Sequence, residues 1–500
     1  MGMGRPVFLV TAAALLLFVS AAGAAVITGS RRADLLLGGA GPDRIVAGRG
    51  NDRIQVDGGG RDTVACGPGT DLVNADASDR LARDCERVAR VIARDPYGGA
   101  GQHATIAEPD SYSFGSTVVA AYQAGRFRDG GAVNTGWATS RDGGRTWRSG
   151  TLPSLTVRSR PAGPWARASD PAVAYDAAHR TWLIVSLALN PDRAAVVVSR
   201  SPDGLRWSAP VTVVEAPSVP DLRLDKEWIV CDSWAQSPHR GSCYVTYSDF
   251  RTLRLEFQTS TDGGVTWGPQ VSAPQNAGRP SIVGRWAPAP QPVVQPDGDL
   301  IVPYYDEDRV AAVRSADGGL SFSPPVTVAR TRFKPTRGLR APPLPSAEVD
   351  SAGNVYVAWP DCGAACEWND LLVATSADGI AWSPPTHLQL ASSGDFVLPG
   401  LAADPSRSRR LALTYYVMKP GGFLDVAIVT STDGGRRWSA PRRLSVRSMQ
   451  LGWIAQAGGA MVGDYISTSF TGGRAVAVFA LASPARRRFN QPLFAAVIRP

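Results

Sequence analysis

Residues 139–150 read TSRDGGRTWRSG, a pattern that recurs along the chain. It has the Asp and Gly residues of a tight surface turn, yet it carries Trp147, a side chain of a type that is usually buried. Glycine permits the positive φ of a tight turn, and the Asp142 carboxylate is placed to accept hydrogen bonds from backbone N–H groups across it. We therefore predict a hairpin in which Trp147 folds back under the turn into the core.

The same pattern, Ser-x-Asp-Gly-(Gly)-x-x-Trp, occurs six times along the chain, with Phe322 in place of Trp once. The intervals between successive aspartates are 61, 59, 55, 61 and 55 residues. Short apolar runs bounded by turn residues precede the copies, and no convincing helix lies between them, which indicates an all-β chain. The six aspartates are Asp142, Asp203, Asp262, Asp317, Asp378 and Asp433.

These repeats resemble the Asp-box, or BNR repeat, of the sialidase-like β-propellers. In that family the boxes connect the third and fourth strands of a blade, away from the central site, so they identify the fold and take no part in the chemistry. The resemblance covers residues 105–500 and predicts a six- or seven-bladed β-propeller of four-stranded antiparallel blades. We count seven units, and the last one, which lacks a box, either forms a seventh blade or completes the first.

A second repeat lies within residues 29–90, where five aspartates follow one another in steps of 9, 9, 10 and 9 residues. It resembles the nonapeptide repeat of hemolysin-type (RTX) calcium-binding proteins. The resemblance implies a small calcium-binding parallel β-roll, in which glycines allow tight turns and carboxylates ligate a hard cation. We therefore predict Ca²⁺ as the cofactor. The predicted metal ligands are Asp34, Asp43, Asp52, Asp62 and Asp71.

The start of the chain and its cysteines predict a secreted protein. Residues 1–24 combine a cationic Arg5, an apolar run and small residues in an A-x-A pattern, which is typical of a secretory signal peptide; a short membrane anchor is the alternative. Residues 91–104 are predicted to link the roll to the propeller. The six cysteines form three local pairs, for which disulfides compete with metal ligation. The predicted disulfides are Cys66–Cys85, Cys231–Cys243 and Cys362–Cys366.

Composition limits the classes of partner. The chain is 44% hydrophobic and 19% charged, which is typical of a globular protein, and its net charge is +8. The positive charge comes almost wholly from scattered Arg, without a basic helix or an interleaved aromatic stripe, so we predict no nucleic-acid partner. We expect a glycan or glycoconjugate as the partner, association with a cell surface or cell wall, and no stable membrane insertion.

The candidate site follows from the predicted propeller, because such a fold gathers the starts of its innermost strands around one axis. Polar residues at those predicted starts are therefore candidates, although salt bridges at blade junctions are the alternative explanation for each of them. The candidates are Glu108, Asp170, Asp225, Glu227, Arg285, Arg340, Asp464 and Tyr465.

The family resemblance implies roles for some of these residues. Tyr465 is the candidate nucleophile, Glu227 its base and Asp170 the acid/base. Three arginines are expected to hold a substrate carboxylate, since the planar guanidinium matches it bidentately. The family's Phe/Tyr-Arg-Ile-Pro stretch is absent, and the corresponding region reads SYSFGSTVVAAYQAGRF, so the first of the family's arginines is not assigned. The arginines predicted to bind substrate are Arg285, Arg340 and Arg279.

Two functional hypotheses follow from the sequence. The first is a secreted exo-α-sialidase-like glycoside hydrolase that acts on acidic glycans. The alternative is a non-catalytic extracellular propeller that binds glycan or protein and is stabilised by its calcium-binding repeats. A Ser–His hydrolase has no support, because the chain has four His and no nucleophile elbow.

Overall fold

The computed structural model describes residues 16–18 (backbone), 23–218, 223–252, 254–274, 288–388, 390, 393–484 and 489–500. It divides into two compact units, residues 1–90 and 91–500. Apart from one 3₁₀ turn at Leu451–Trp453, every regular element in the described part of the chain is a β-strand.

The first unit is a parallel β-solenoid. Its strands alternate between two parallel sheets, so each turn of the chain adds one strand to each sheet. One sheet has the order β2-β4-β6-β8, and the other contains β1-β3-β5-β7-β9. The strands are β1 (Leu16–Phe18), β2 (Val26–Thr28), β3 (Leu35–Leu37), β4 (Arg44–Val46), β5 (Arg53–Val56), β6 (Thr63–Ala65), β7 (Leu72–Ala75), β8 (Arg80–Leu81) and β9 (Arg87–Ala93).

The repeat residues explain why this segment coils. Ile45, Ile54 and Val64 are fully buried between the two sheets and form a thin apolar core. Glycine is required where successive turns nearly touch: a Cβ on Gly69 would lie 1.7 Å from the carbonyl oxygen of Gly50. The period of the apolar residues therefore sets the strands, and the glycines set the spacing between turns.

The second unit consists of antiparallel strands. They are β10 (Gln102–Phe114), β11 (Thr117–Arg126), β12 (Ala132–Ser140), β13 (Arg148–Thr151), β14 (Arg167–Asp176), β15 (Thr181–Leu189), β16 (Arg193–Ser201), β17 (Val211–Pro217), β18 (Leu224–Cys231), β19 (Cys243–Asp249), β20 (Arg254–Ser260), β21 (Val271–Ser272), β22 (Val293–Val294), β23 (Leu300–Asp306), β24 (Arg309–Ser315), β25 (Val326–Arg330), β26 (Ser346–Val349), β27 (Val355–Asp361), β28 (Asp370–Ser376), β29 (Thr386–His387), β30 (Asp395–Ala403), β31 (Leu411–Lys419), β32 (Phe423–Ser431), β33 (Arg442–Arg443), β34 (Met449–Gln450), β35 (Ser467–Thr471), β36 (Arg474–Ala480) and β37 (Leu493–Ile498).

The prediction of a closed six- or seven-bladed propeller is wrong, although the all-β content and the parallel N-terminal repeat agree with the sequence. The strands do not separate into six or seven four-stranded blades. β10 to β17 form one eight-stranded sheet, because Ala132 of β12 pairs with Ala168 of β14. β18–β21, β22–β25 and β26–β29 are four-stranded, β30–β34 form a five-stranded sheet, and β35, β36 and β37 pair antiparallel with one another. The protein is a β-solenoid followed by several antiparallel sheets.

The six repeated turns have the predicted local structure. In the turn at Asp262, the Oδ1 atom accepts hydrogen bonds from the N–H groups of Val265 (2.9 Å) and Thr266 (3.0 Å). The Thr266 hydroxyl donates to Oδ2 at 2.6 Å, and the Ser260 hydroxyl to Oδ1 at 2.8 Å. These bonds satisfy donors that the turn would otherwise leave without partners.

The aromatic residue of each turn is half-buried, and each packs against a different hydrophobic cluster, which confirms that these residues belong to the core. The Trp147 indole N–H also donates to the Gly144 carbonyl at 3.0 Å, closing the turn over the ring. The six turns therefore fix six separate packing contacts. The residues are Trp147, Trp207, Trp267, Phe322, Trp382 and Trp438.

The three predicted disulfides are confirmed. Cys231–Cys243 joins the paired strands β18 and β19, and Cys362–Cys366 closes a loop after β27. Cys66–Cys85 closes a segment of the solenoid. None of the described cysteines is left as a free thiol.

We expect Asp262→Ala to lower the free energy of unfolding by about 1–3 kcal/mol, because several turn donors lose their acceptor at once. Chemical denaturation monitored by tryptophan fluorescence measures the change. Thr261→Ala, in the exposed neighbouring position, is the matched control and should change stability little. Equal effects of the two variants would contradict the role assigned to the carboxylate.

Candidate functional site

Three β-bulges place charged side chains at one location in the second unit. The pairing register shifts at the same place in β10, β14 and β18, next to Glu108, Asp170 and Lys226. These residues have φ values of 51°, 44° and 55°, in the left-handed region that side-chain-bearing residues seldom adopt. A bulge re-aims a side chain away from the regular alternation of its strand. Here the result is that three charged groups from three strands converge.

Lys226 is the centre of this cluster. Its ammonium Nζ lies 2.7 Å from Asp464 Oδ2, 3.1 Å from Asp170 Oδ2 and 4.0 Å from Glu108 Oε1. The lysine side chain is only 8% exposed, and these carboxylates are buried at least as deeply. A buried ammonium group is stable only when carboxylates compensate its charge, so the cluster is an electrostatic unit.

Arg340 supplies a second cation from the segment before β26. Its Nε and Nη2 atoms donate hydrogen bonds to Oδ1 and Oδ2 of Asp464 at 2.7 Å and 2.5 Å, in bidentate geometry. Gly463 allows Asp464 to approach, because a Cβ at Gly463 would lie 2.8 Å from the backbone N of Glu108. Asp464 therefore joins Arg340 to Lys226.

A hydrogen-bond network completes the cluster. The Gln123 side-chain amide donates to Glu108 Oε2, and to Ser169 Oγ at 3.0 Å. The Ser169 hydroxyl donates to Asp170 Oδ1 at 2.9 Å. Arg126 Nη1 donates to Gln123 Oε1 at 2.5 Å. The polar groups of β10, β11 and β14 are thereby locked in one arrangement.

These contacts lower the pKa of some carboxyl groups of the cluster and raise the pKa of others. Burial opposes ionisation of both Asp170 and Asp464. The charge of Lys226 and side-chain hydrogen bonds outweigh it for Asp170, and the charges of Arg340 and Lys226 outweigh it for Asp464, so both pKa values lie below their usual range. Burial and the charge of Asp170 raise the pKa of Glu108 well above its usual range. Burial likewise raises the pKa of Asp225 to about 7; Lys226 opposes this rise, and the neighbouring Asp170 and Asp464 charges add to it.

Two of the residues predicted to be catalytic lie beside this cluster. The Tyr465 hydroxyl donates to the Pro171 carbonyl at 2.9 Å, and the Tyr465 ring meets Trp228 edge-to-face. Burial raises the pKa of Tyr465 well above its usual range, and the charges of Glu108 and Asp170 act in the same direction. Glu227 is 1% exposed, and neither of its carboxyl oxygens has a hydrogen-bond partner among the described residues.

A cavity of about 600 Å³ opens beside the cluster. It is large enough for a small ligand. Asp170 and Arg340, predicted from the sequence, line it, whereas Tyr465 and Glu227 are not among its lining residues. Arg279 and Arg285 lie outside the described residues. The charged groups that line the cavity include Arg126, Arg167, Asp170, Asp225, Lys226 and Arg340.

Arg126 is a lining residue that sequence reasoning missed. It is 3% exposed, and it forms no ion pair with any carboxylate in the described ranges. Its Nε–H is also buried without an acceptor there. Arg126 stands in the stretch SYSFGSTVVAAYQAGRF, where the family's first arginine was sought by its motif. Its position at the end of an apolar strand was the only signal that could have pointed to it.

The first unit holds the predicted metal ligands in two ladders, one of Asp34, Asp52 and Asp71 and one of Asp43 and Asp62. Carboxylate oxygens accept hydrogen bonds from the backbone N–H of the aspartate one turn earlier. Asp62 Oδ1 accepts from Asp43 at 2.6 Å, and Asp71 Oδ1 accepts from Asp52 at 2.7 Å. The structure thus brings every second aspartate of the repeat into register along the solenoid.

The second oxygens of these aspartates differ. Asp43 Oδ2 accepts from the Gly39 N–H and Asp34 Oδ2 from the Ser30 N–H, both at 2.6 Å. In contrast, the Oδ2 atoms of Asp52, Asp62 and Asp71 are buried with no hydrogen-bond partner in the described chain. Burial raises the pKa values of Asp52 and Asp62 to about 6 against the hydrogen bonds that they accept. Unused carboxylate oxygens in a glycine-rich turn fit the oxygen ligands that Ca²⁺ requires.

The N-terminal repeats match a known family. Residues 21–54, 28–64 and 40–73 match the RTX calcium-binding nonapeptide repeat. The match covers only this part of the chain. No curated protein matches the sequence. In the described part of the chain, no helix is long and apolar enough to cross a membrane.

Solved structures similar to this chain include carbohydrate-active enzymes. A leech intramolecular trans-sialidase complexed with 2,7-anhydro-Neu5Ac is 14% identical, with a TM-score of 0.46. The match covers 65% of this chain and 66% of the trans-sialidase chain, so this chain spans just under two thirds of the length of that protein. A Hadza microbial sialidase is 16% identical, with a TM-score of 0.44; the match covers 69% of this chain and 67% of the sialidase chain. An ulvan lyase is 11% identical, with a TM-score of 0.49; the match covers 82% of this chain and 95% of the lyase chain. At TM-scores below 0.5, these likenesses define neither the architecture nor the activity of this chain.

We expect Lys226→Met to lower the free energy of unfolding by about 3–5 kcal/mol, because the change leaves buried carboxylates without their counter-ion. Chemical denaturation of the full chain measures it. Lys334→Met is the matched control, since Lys334 is half-exposed and 4.0 Å from Asp395, and should cost less than about 1 kcal/mol. Similar losses in the two variants would show that the cluster does not depend on the Lys226 charge.

Proposed function

We propose that this protein is an extracellular, calcium-stabilised glycoside hydrolase that acts on acidic glycans in the charged cavity of the second unit. The single observation that carries the proposal is Arg126, a buried guanidinium that lines the cavity and forms no ion pair within the described residues. A buried cation without an ion-pair partner is costly, and an anionic group of a ligand would relieve that cost.

A carboxylate is the ligand group that suits Arg126 best. The guanidinium presents N–H donors in a planar fork that matches the two oxygens of a carboxylate. Arg126 Nη1 already donates to Gln123, which fixes the orientation of the guanidinium. The Arg126 Nε–H has no acceptor among the described residues. Arg340 lines the same cavity, but its Nε and Nη2 atoms already donate hydrogen bonds to Asp464. We therefore assign carboxylate recognition first to Arg126, with Arg340 contributing charge.

The catalytic roles predicted from the sequence remain predictions. Asp170 lines the cavity and stays ionised beside Lys226, so it suits stabilisation of positive charge on a sugar ring. Arg279 and Arg285 stay proposed as substrate-binding residues.

The alternative is a non-catalytic module that binds acidic glycans in the same cavity. It is favoured by the position of Tyr465, whose hydroxyl donates to a backbone carbonyl and which is not among the residues that line the cavity. Both proposals require anion recognition by Arg126 and differ only in whether the glycan is cleaved.

Calcium is proposed to stabilise the first unit. The buried oxygens of Asp52, Asp62 and Asp71 would hold Ca²⁺ and thereby neutralise carboxylates that are otherwise desolvated without a cation. The three disulfides agree with an oxidising compartment, so we propose that the protein is secreted.

We expect Arg126→Lys to weaken binding of uronate- or sialate-containing oligosaccharides by about 10- to 100-fold, because an ammonium keeps the charge but loses the fork. Isothermal titration and a hydrolysis assay over a panel of acidic glycans measure binding and turnover. Arg128→Lys, at an exposed position two residues away, is the control and should change neither.

The outcomes separate the two proposals. Turnover that falls in Arg126→Lys supports a hydrolase, whereas binding without turnover on the whole panel leaves the binding module. If the wild-type protein neither binds nor cleaves any acidic glycan, both proposals fail.

We expect Asp62→Asn and Asp43→Asn to have opposite effects on the first unit. Asp62→Asn replaces an oxygen without a partner, so it should weaken Ca²⁺ binding and leave calcium-free stability unchanged or higher. Both Asp43 oxygens accept backbone N–H groups, so Asp43→Asn should lower calcium-free stability by about 1 kcal/mol. Calcium titration calorimetry and hydrogen exchange of peptides from residues 23–90 measure the two effects. Unchanged calcium affinity in Asp62→Asn would contradict the assignment.

A further inference from the structure

The charges around the cavity do not balance if every group is ionised. Five carboxyl groups meet three cations, Arg126, Lys226 and Arg340, in a region with little solvent. An excess of buried negative charge is costly, so some of the carboxyl groups must carry protons at neutral pH. The carboxyl groups are those of Glu108, Asp170, Asp225, Glu227 and Asp464.

The contacts decide which carboxyl groups these are. Asp464 is bound by Arg340 and Lys226, and Asp170 by Lys226 and the Ser169 hydroxyl, so both remain ionised. Glu108 is 4.0 Å from Lys226 and otherwise contacts the Gln123 amide. The Asp225 carboxyl group accepts the Lys226 backbone N–H at 2.9 Å. It is also hydrogen-bonded to the Asp170 carboxylate, which requires a proton on one of the two groups. Glu108, Asp225 and Glu227 are therefore the groups that hold protons.

Among these three groups, Asp225 is the one that lines the cavity. We propose that Asp225 is the catalytic acid of the site and donates its proton to the glycosidic oxygen of a bound acidic glycan. This inference rests on the proposed hydrolase function. It transfers the acid role from Asp170 to Asp225, leaves Asp170 to stabilise charge on the sugar ring, and makes Lys226 a positioning residue.

The surroundings of Asp225 agree with this role. Asp170 of β14 and Asp464 before β35 disfavour its charge, and Lys226 of β18 favours it. Arg126, Arg167 and Arg340 face the same cavity, as does Asp129, which is paired with Arg167. Burial, the largest effect, raises the pKa of Asp225 to about 7, which suits a group that exchanges protons near neutral pH.

The reaction balances with water as the only co-reactant. The bond between the anomeric carbon and the glycosidic oxygen breaks, its electron pair stays on the oxygen, and that oxygen takes the Asp225 proton. Water then adds to the anomeric carbon and releases one proton, which returns to Asp225. The ionised Asp170 lines the same cavity and would stabilise the positive charge of the sugar ring during the step.

The test compares natural glycans with glycosides that carry an aryloxide or fluoride leaving group, which departs without a proton. We expect Asp225→Asn to reduce kcat/KM on natural acidic glycans by about 10²- to 10⁴-fold and to leave the activated substrates nearly unchanged. In the wild-type enzyme kcat/KM should fall as the pH rises through about 7, and this limb should vanish in Asp225→Asn. Asp192→Asn, exposed and outside the cavity lining, is the matched control.

A second measurement needs no substrate. At neutral pH, the infrared difference spectrum between the wild-type chain and Asp225→Asn should show the loss of one carbonyl band of a protonated carboxyl group, while the bands of Glu108 and Glu227 remain. Asp192→Asn should show no such loss. Absence of that difference overturns the proposal, as does an equal loss of kcat/KM on natural and activated substrates. Failure of the wild-type protein to cleave any glycoside overturns the hydrolase function itself, and the acid role with it.

Discussion

The charge of Lys226 is the constraint on which the second unit's candidate site depends. Its ammonium is buried within 4.0 Å of carboxylates from β10, β14 and the segment before β35, so the ion cluster ties together elements far apart in sequence. Arginine supplies almost all of the chain's 52 cations, and lysine occurs only at 226, 334 and 419. An ammonium is a compact charge that three carboxylates can surround, whereas a guanidinium is a planar fork. The centre of this cluster therefore requires the rarer residue.

The backbone is distorted to bring these groups together. Glu108, Asp170 and Lys226 each have positive φ at a bulge, a conformation that costs about 1–3 kcal/mol per residue for side chains other than glycine. Leu398 has the same conformation at the bulge of β30 but carries no charge. The bulge is thus a feature of several sheets, and the side chain at that position decides whether the sheet contributes to the site.

The sequence predicted local structure better than assembly. The box pattern defines hydrogen bonds within a few residues of Asp142 and its equivalents, and the solenoid period defines contacts between adjacent turns, so both could be predicted. How hairpins join into sheets depends on distant pairings such as Ala132 with Ala168, for which neither residue carries a signal. That is why the closed propeller was predicted wrongly. Arg126 was missed for a related reason: nothing in its neighbourhood in the sequence shows that it lacks a carboxylate partner.

Aspartates in the two units show that burial and hydrogen-bond occupancy together decide how a carboxylate behaves. In the box turns, burial opposes ionisation, but donors fill both oxygens of Asp262 and lower its pKa to about 2. In the solenoid, Asp62 accepts one N–H, its other oxygen has no partner among the described residues, and burial raises its pKa to about 6. The first arrangement is complete without a ligand and belongs to the fold. The second is incomplete until a proton or a cation arrives, and the same distinction separates Asp464 from Asp225 at the cavity.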